Sequence, residues 1–238
     1  MSAASPAHEP PPRRRGPRPR HSREDVTRTA VAIADADGLD AVTFRAVAAR
    51  LGTGVMSLYN YVPDKQTLVY EMVELVSAEL DLPEPSGDWR ADMRLLANRQ
   101  RALLHTHSWL VDAISHLQPL GPATLDSLEF GLGVLEPTGL SARDRLEAIG
   151  LLNGFVINIV RTELAGRAAA EAASGPGTEA GPYAGQFARL PELLATGRYP
   201  RFAAAIAAEG PPVTFEPDKE FGRLLDRILD GLVLRRGE

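Results

Sequence analysis

The chain contains no cysteine among its 238 residues. Disulfides, thiolate chemistry and cysteine metal sites are therefore excluded, which fits a reducing compartment. An apolar leader is also missing: Met1-Ser2-Ala3 runs into prolines and arginines, so no signal peptide is expected. The longest apolar run, Ala148 to Val160, is interrupted by Asn153 and Asn158 and reads as too short to span a bilayer. No membrane partner is expected, and the chain reads as cytoplasmic. Strand-length alternation and internal repeats are absent, which leaves an all-α fold. There is no GxSxG elbow, phosphate loop, dinucleotide fingerprint or HExxH pair, so neither an enzyme nor a cofactor is expected. His105 and His107 are two residues apart and cannot share a helical face, so no metal is expected there or at His116.

Excess positive charge is lacking overall, since the formal net charge is -5. Its distribution is uneven. Residues 1–68 hold ten Lys/Arg and seven Asp/Glu, a balance of +3, which leaves -8 for the remainder. A basic front on an acidic body is the pattern of a nucleic-acid-binding head on a larger regulatory unit.

Residues 1–21 are rich in Pro, Ala and Arg and read as a disordered basic arm. A helix is expected from Ser22, with Asp25 at capping-box spacing and Val26, Ala30, Ile33 and Ala34 on one face. Asp37-Gly38 ends it. Thr43 caps a second helix with an apolar stripe of Phe44, Val47, Ala48 and Leu51, and Gly52 breaks it. A short third helix covers about Val55 to Tyr61, with Leu58 and Val62 turned inward. Asp64 caps a fourth that carries Leu68, Met72, Leu75 and Val76. Further helices are expected at about 89–105, 108–117, 122–135, 142–165, 185–196 and 217–236. Residues 166–182, with Gly175-Pro176-Gly177, read as a mobile loop.

Two short helices joined at Gly52 have the spacing of a helix-turn-helix. The second has few apolar anchors, and Ser57, Tyr59, Asn60 and Tyr61 lie on a polar, aromatic outer face. A recognition helix needs that asymmetry: one edge is buried and the other enters the major groove. Hydroxyls and amides there can bond phosphates or base edges.

The segment from Ser22 to about Leu75, with Gly38-Leu39, Thr43, Ala48, Leu51-Gly52, Leu58-Tyr59 and Lys65 at these spacings, resembles the DNA-binding domain of the tetracycline-repressor family. The resemblance implies roles for individual residues. Arg45 would reach a base or phosphate, and Val55, Met56 and Ser57 would read bases. Tyr59 and Tyr61 would contact the phosphate backbone, and Lys65 would hold a phosphate at the start of the fourth helix. Thr43 would cap the second helix and touch phosphate. Gly54 departs from the polar residue often found there, and Val55 and Met56 make the reading face unusually apolar, which suits thymine methyls. Arg13, Arg14, Arg15, Arg18, Arg20 and Arg23 would add minor-groove or phosphate contacts.

The remainder resembles that family's ligand-binding domain more weakly, through Trp89, His105-Thr106-His107, Trp109-Leu110 and Leu152-Asn153-Gly154-Phe155. The resemblance implies a pocket for a small-molecule effector that shifts the protein between DNA-competent and incompetent states. Leu96, Gln100, Leu104, Trp109, His116, Phe130, Asn153 and Phe155 are the candidates to line it, although aromatics and leucines at such spacing also serve as plain core. The last helix has a wide apolar stripe: Phe221, Leu224, Leu225, Ile228, Leu229 and Leu232, extended by Val233 and Leu234. In the family the corresponding helix and the eighth pair with their symmetry mates, which implies a homodimer on a near-palindromic operator. The expected organisation is an arm at 1–21, a helix-turn-helix head at 22–68 and a ligand-binding and dimerisation unit at 69–238. The expected function is a ligand-responsive transcriptional repressor that binds double-stranded DNA. A DNA-binding regulator without ligand and a helical interaction protein remain open at this level.

Overall fold

The computed structural model describes residues 21–116, 120–173, 190–209 and 216–232. Among them there are eleven α-helices and no strand. The head is α1 (Arg23–Asp37), α2 (Phe44–Leu51) and α3 (Val55–Leu58), and α4 (Lys65–Ser77) leads out of it. The body is α5 (Trp89–Thr106), α6 (Leu110–His116), α7 (Pro122–Leu135), α8 (Ala142–Ala173), α9 (Leu190–Ala195), α10 (Pro200–Glu209) and α11 (Pro217–Leu232).

Local chemistry sets the helix starts in the head. Ser22 and Asp25 form a complete capping box: the Ser22 hydroxyl accepts from the Asp25 N–H at 3.0 Å, and the Asp25 carboxylate accepts from the Ser22 N–H at 2.7 Å. Thr43 accepts from the Ala46 N–H at 3.1 Å, and Asp64 from the Thr67 N–H at 2.7 Å. Each bond satisfies a backbone donor that the first helical turn leaves free. Between α2 and α3 the chain reverses at Gly52, whose φ of 64° puts it in the left-handed region. The Thr53 N–H then closes onto the Ala48 carbonyl at 3.0 Å.

One continuous core runs from head to body. Val26, Ala30, Ile33 and Ala34 of α1 pack with Val47 and Ala48 of α2, and with Leu58, Val62, Leu68 and Met72, all buried. In the body α8 packs on α5 and α7, and α11 packs on α8 and α5. Arg101 ties α5, α8 and α11 together. It pairs with Glu163 at 2.8 Å and Asp218 at 2.7 Å and lies 4.7 Å over the Phe221 ring, which stacks on Phe155. Burial works against the Arg101 charge, yet the bonds from Glu163 and Asp218 hold its pKa above the ordinary value.

Several sequence expectations are corrected. Residues 166–173, expected in a loop, continue α8; the run Ala168-Ala169-Ala170-Glu171-Ala172-Ala173 has high helix propensity and overrides the neighbouring glycine. The resulting segment, Ala142–Ala169, is long and apolar enough by length and composition to cross a membrane. The run from 148 to 160 therefore understates its extent, although its inner face is taken up by α5 and α7. Helix α10, begun by Pro200 at its first position, has no counterpart among the expected helices. Helix α4 runs straight through the expected boundary at 68/69. The arm at 1–20, the rest of the expected loop, residues 185–189 and Val233-Leu234 lie outside the described residues.

Candidate nucleic-acid interface and a half-open cavity

Leu58 is fully buried and anchors α3 from beneath. Its neighbours on the other side are open: Met56 is 77% exposed and Tyr59 48% exposed, and Ser57 and Asn60 are exposed as well. Val55 and Tyr61 are half-buried and pack against the head core. The hydrogen-bonded turn continues past α3, with the Tyr61 N–H on the Leu58 carbonyl at 2.9 Å. This makes a short helix with one anchored edge and one free edge. Arg45 is exposed on the first turn of α2, and Lys65 is exposed on the first turn of α4. The Thr43 hydroxyl is exposed as well as bonded to Ala46. One contact could not be read from spacing. The Tyr59 ring stacks on Phe44 with centroids 4.7 Å apart and planes 6° from parallel. That stack holds the phenol at the rim of α3 and fixes α3 against α2.

A cavity of about 380 Å³ lies in the body, walled by α4, α5, α6, α7 and α8. Gln100, Leu104 and Asn153, three of the expected lining residues, are on its wall. Four of the others, Leu96, Trp109, Phe130 and Phe155, are elsewhere. Leu96 is fully buried in the core. Phe155 stacks on Phe221. Phe130 borders a separate hollow of about 520 Å³ between residues 81–85 and α7. That hollow is larger, but its wall includes Asp81, Glu84, Asp126 and Glu129, which makes it more polar and acidic than the first and less suited to an apolar ligand. Asn158 is exposed. The His116 side chain lies outside what the structure describes. Trp109 is buried, and its indole N–H donates to the Asp35 carboxylate at 2.7 Å.

Among the described residues, two sets of polar contacts tie α1 and α4 to the body besides the shared core. At the first, Asp35 of α1 accepts from Trp109 and lies 2.7 Å from His107 Nδ1, while His107 Nε2 lies 3.3 Å from Glu79. At the second, Glu74 of α4 reaches the start of α7, where Gly121 offers no side-chain cap. The Glu74 carboxylate accepts from the Ala123 N–H at 2.9 Å and the Thr124 hydroxyl at 2.7 Å. A Cβ at Gly121 would push aside the Glu74 carboxyl and the Tyr70 hydroxyl, so glycine leaves room for this contact. A residue of α4 thus supplies the missing cap of α7. Ala123 and Thr124 of that capped turn, with Val73 and Ser77 of α4, are part of the cavity wall. Sequence reasoning missed Asp35, Glu74 and the α4 wall residues. Their partners lie 72, 74, 49 and 50 residues away along the chain, and no local pattern marks them.

Comparison with known proteins agrees with this geometry. Residues 26–72 match bacterial regulatory proteins of the tetR family, and residues 82–235 match the tetracyclin repressor-like C-terminal domain. The HTH-type transcriptional repressor DrrR1 of Streptomyces coeruleorubidus is 39% identical over 231 residues, covering 94% of this chain and 83% of the relative. The class A tetracycline repressor of Escherichia coli, from transposon 1721, is 27% identical, with 89% of this chain and 90% of the relative covered. Among solved structures, the Streptomyces coelicolor tetR-family protein ActR in complex with actinorhodin superposes with a TM-score of 0.72 at 26% identity, covering 92% of this chain and 99% of that one. With a helix-turn-helix whose outer edge is free and a helical body matched almost to its end, the chain belongs to the tetR family of bacterial transcriptional regulators.

Proposed function

We propose that this regulator is a homodimeric repressor that binds a near-palindromic operator through α3 and is released by a small molecule entering the cavity of about 380 Å³. One observation carries the reading: a single helix serves both sites. Helix α4 has 13 residues, a length of about 20 Å. Lys65 at its start stands beside the DNA-facing edge, and Val73 and Ser77 near its end line the cavity. A ligand that spreads the wall moves α4, and with it the head, which shifts the population between DNA-competent and released states.

In this reading Met56 and Ser57 meet base edges, and Tyr59, Tyr61, Lys65, Thr43 and Arg45 hold phosphates. Lys65 does so at a helix N-terminus, where free N–H groups assist. Dimerisation uses α8 and α11. On α8, Leu151 is 64% exposed and Gly150 and Gly154 have open space where a side chain would stand, so a second copy can approach closely. The protein acts in the cytoplasm, performs no catalysis and needs no cofactor beyond its effector.

The test is selection of duplexes from a random pool by the purified full chain, followed by small-molecule release of the selected site. The reading requires enrichment of a near-palindrome and its release by at least one compound. Failure to enrich any sequence at low ionic strength refutes it.

A further inference from the structure

If the cavity is the effector site proposed for it, its wall describes the ligand it accepts. Among the described residues the wall contains no Lys, Arg, His, Asp or Glu. An anion entering it would give up part of its hydration with no cationic side chain in the wall to replace it. The polar groups present are neutral: the hydroxyls of Ser77, Thr124 and Ser127, and the amides of Gln100 and Asn153. The Thr124 hydroxyl is already given to Glu74. The two amides meet each other, with Gln100 Nε2 donating to Asn153 Oδ1 at 2.9 Å. Gln100 Oε1 is then buried with no hydrogen-bond partner. A buried, unmatched polar atom in an otherwise aliphatic wall favours any ligand that supplies its bond. A hydroxyl is both donor and acceptor, so it satisfies Gln100 whichever way the amide pair is turned.

We infer that the cavity takes a compact, uncharged, mainly apolar molecule bearing a hydroxyl, that this hydroxyl bonds to Gln100 beside Asn153, and that binding needs no metal ion. A volume of about 380 Å³ suits a ligand of drug-like size. Gln100 sets specificity here by favouring one polar substituent, while Leu103, Leu104, Ile149 and Val156 supply apolar contact.

The experiment titrates the full chain with 1-hydroxypyrene, pyrene and pyrene-1-sulfonate, followed by pyrene fluorescence, with magnesium chloride or with EDTA. A single neutral hydrogen bond in such a site makes 1-hydroxypyrene bind about three- to ten-fold tighter than pyrene. The sulfonate binds at least about a hundred-fold more weakly than 1-hydroxypyrene, and EDTA changes nothing. Gln100→Leu brings the hydroxyl advantage close to one, with circular dichroism and the melting temperature reporting on its fold. If that variant does not fold, the three-probe comparison on the unaltered chain decides. Equal binding of the sulfonate, no gain from the hydroxyl, a requirement for magnesium or no binding of any probe overturns the inference. Operator selection is scored separately, so an intact DNA response alongside a failed probe series removes the ligand chemistry and leaves the regulator.

Discussion

The Glu74 bridge gives a stability prediction that can be worked from the structure. Glu74→Ala removes the cap on the Ala123 N–H and the bond from the Thr124 hydroxyl. A lost N-cap costs about 1 kcal/mol, and a hydrogen bond to a carboxylate about 1.5 kcal/mol, so the full change is about 2–3 kcal/mol. Thr124→Val removes only the second bond and costs about 1.5 kcal/mol. Once Glu74 is gone, the hydroxyl has lost its partner, so the double variant is scarcely less stable than Glu74→Ala alone. Urea denaturation at one fixed protein concentration measures the three differences, because subunit association makes stability depend on concentration. The expected interaction energy is about 1–1.5 kcal/mol. The same substitution should also lower the ratio of operator affinities without and with a releasing compound, since α4 is then cut from the cavity turn. Additive single effects, or undiminished release in Glu74→Ala, would refute the idea that this contact carries the signal.

Other predictions concern the head. Tyr59→Phe should weaken binding to every duplex alike by removing a phosphate contact, and Tyr59→Ala should in addition lower stability by about 1 kcal/mol through loss of the Phe44 stack; a change of sequence preference in either would reassign the residue. Lys65→Ala should reduce the slope of log affinity against log salt by about one. Deleting residues 1–20, which hold five arginines, should weaken operator binding and flatten its salt dependence while leaving sequence preference intact; an unchanged slope would discount the arm. Backbone N–H groups of Ser22 and Thr67, bonded to Asp25 and Asp64, hold these carboxyls below their ordinary range. Their capping is therefore complete above the unfolded value of about 3.9 and is lost as pH falls through the lower folded values. Helical signal should decline on acidification in that window, and Asp25→Asn with Asp64→Asn should make the decline shallower.

The head is legible in the sequence because its determinants are local. Ser22, Thr43 and Asp64 lie next to the turns they cap, Gly52 marks the reversal, and Leu58 stands at helical spacing from Val55 and Val62, with the exposed residues one or two positions away on another face. The body is less so. Trp109 and Phe155 are large apolar residues at helical spacing, and nothing in that spacing separates a cavity wall from plain core. Asn153 stands out as an amide among apolar residues, while Gln100 sits between two arginines and has large apolar neighbours only at helical spacing, and the bond between the two amides joins positions 53 apart. Glu74 sits on a helix that reads as an extension of the head, yet it completes a turn of the body. Gly166 misleads because it signals a break that the alanines at 168–173 override.

The free edge of α3 must enter a major groove twice, once per subunit, if this protein binds an operator as proposed. Protection of guanine N7 from methylation on a selected operator reads that groove directly. Two symmetric patches, separated by about one helical turn or slightly more, are predicted, and both should disappear together when α3 carries Ser57→Pro. Absence of N7 protection on a duplex that is nevertheless bound, or a single unpaired patch, would contradict it.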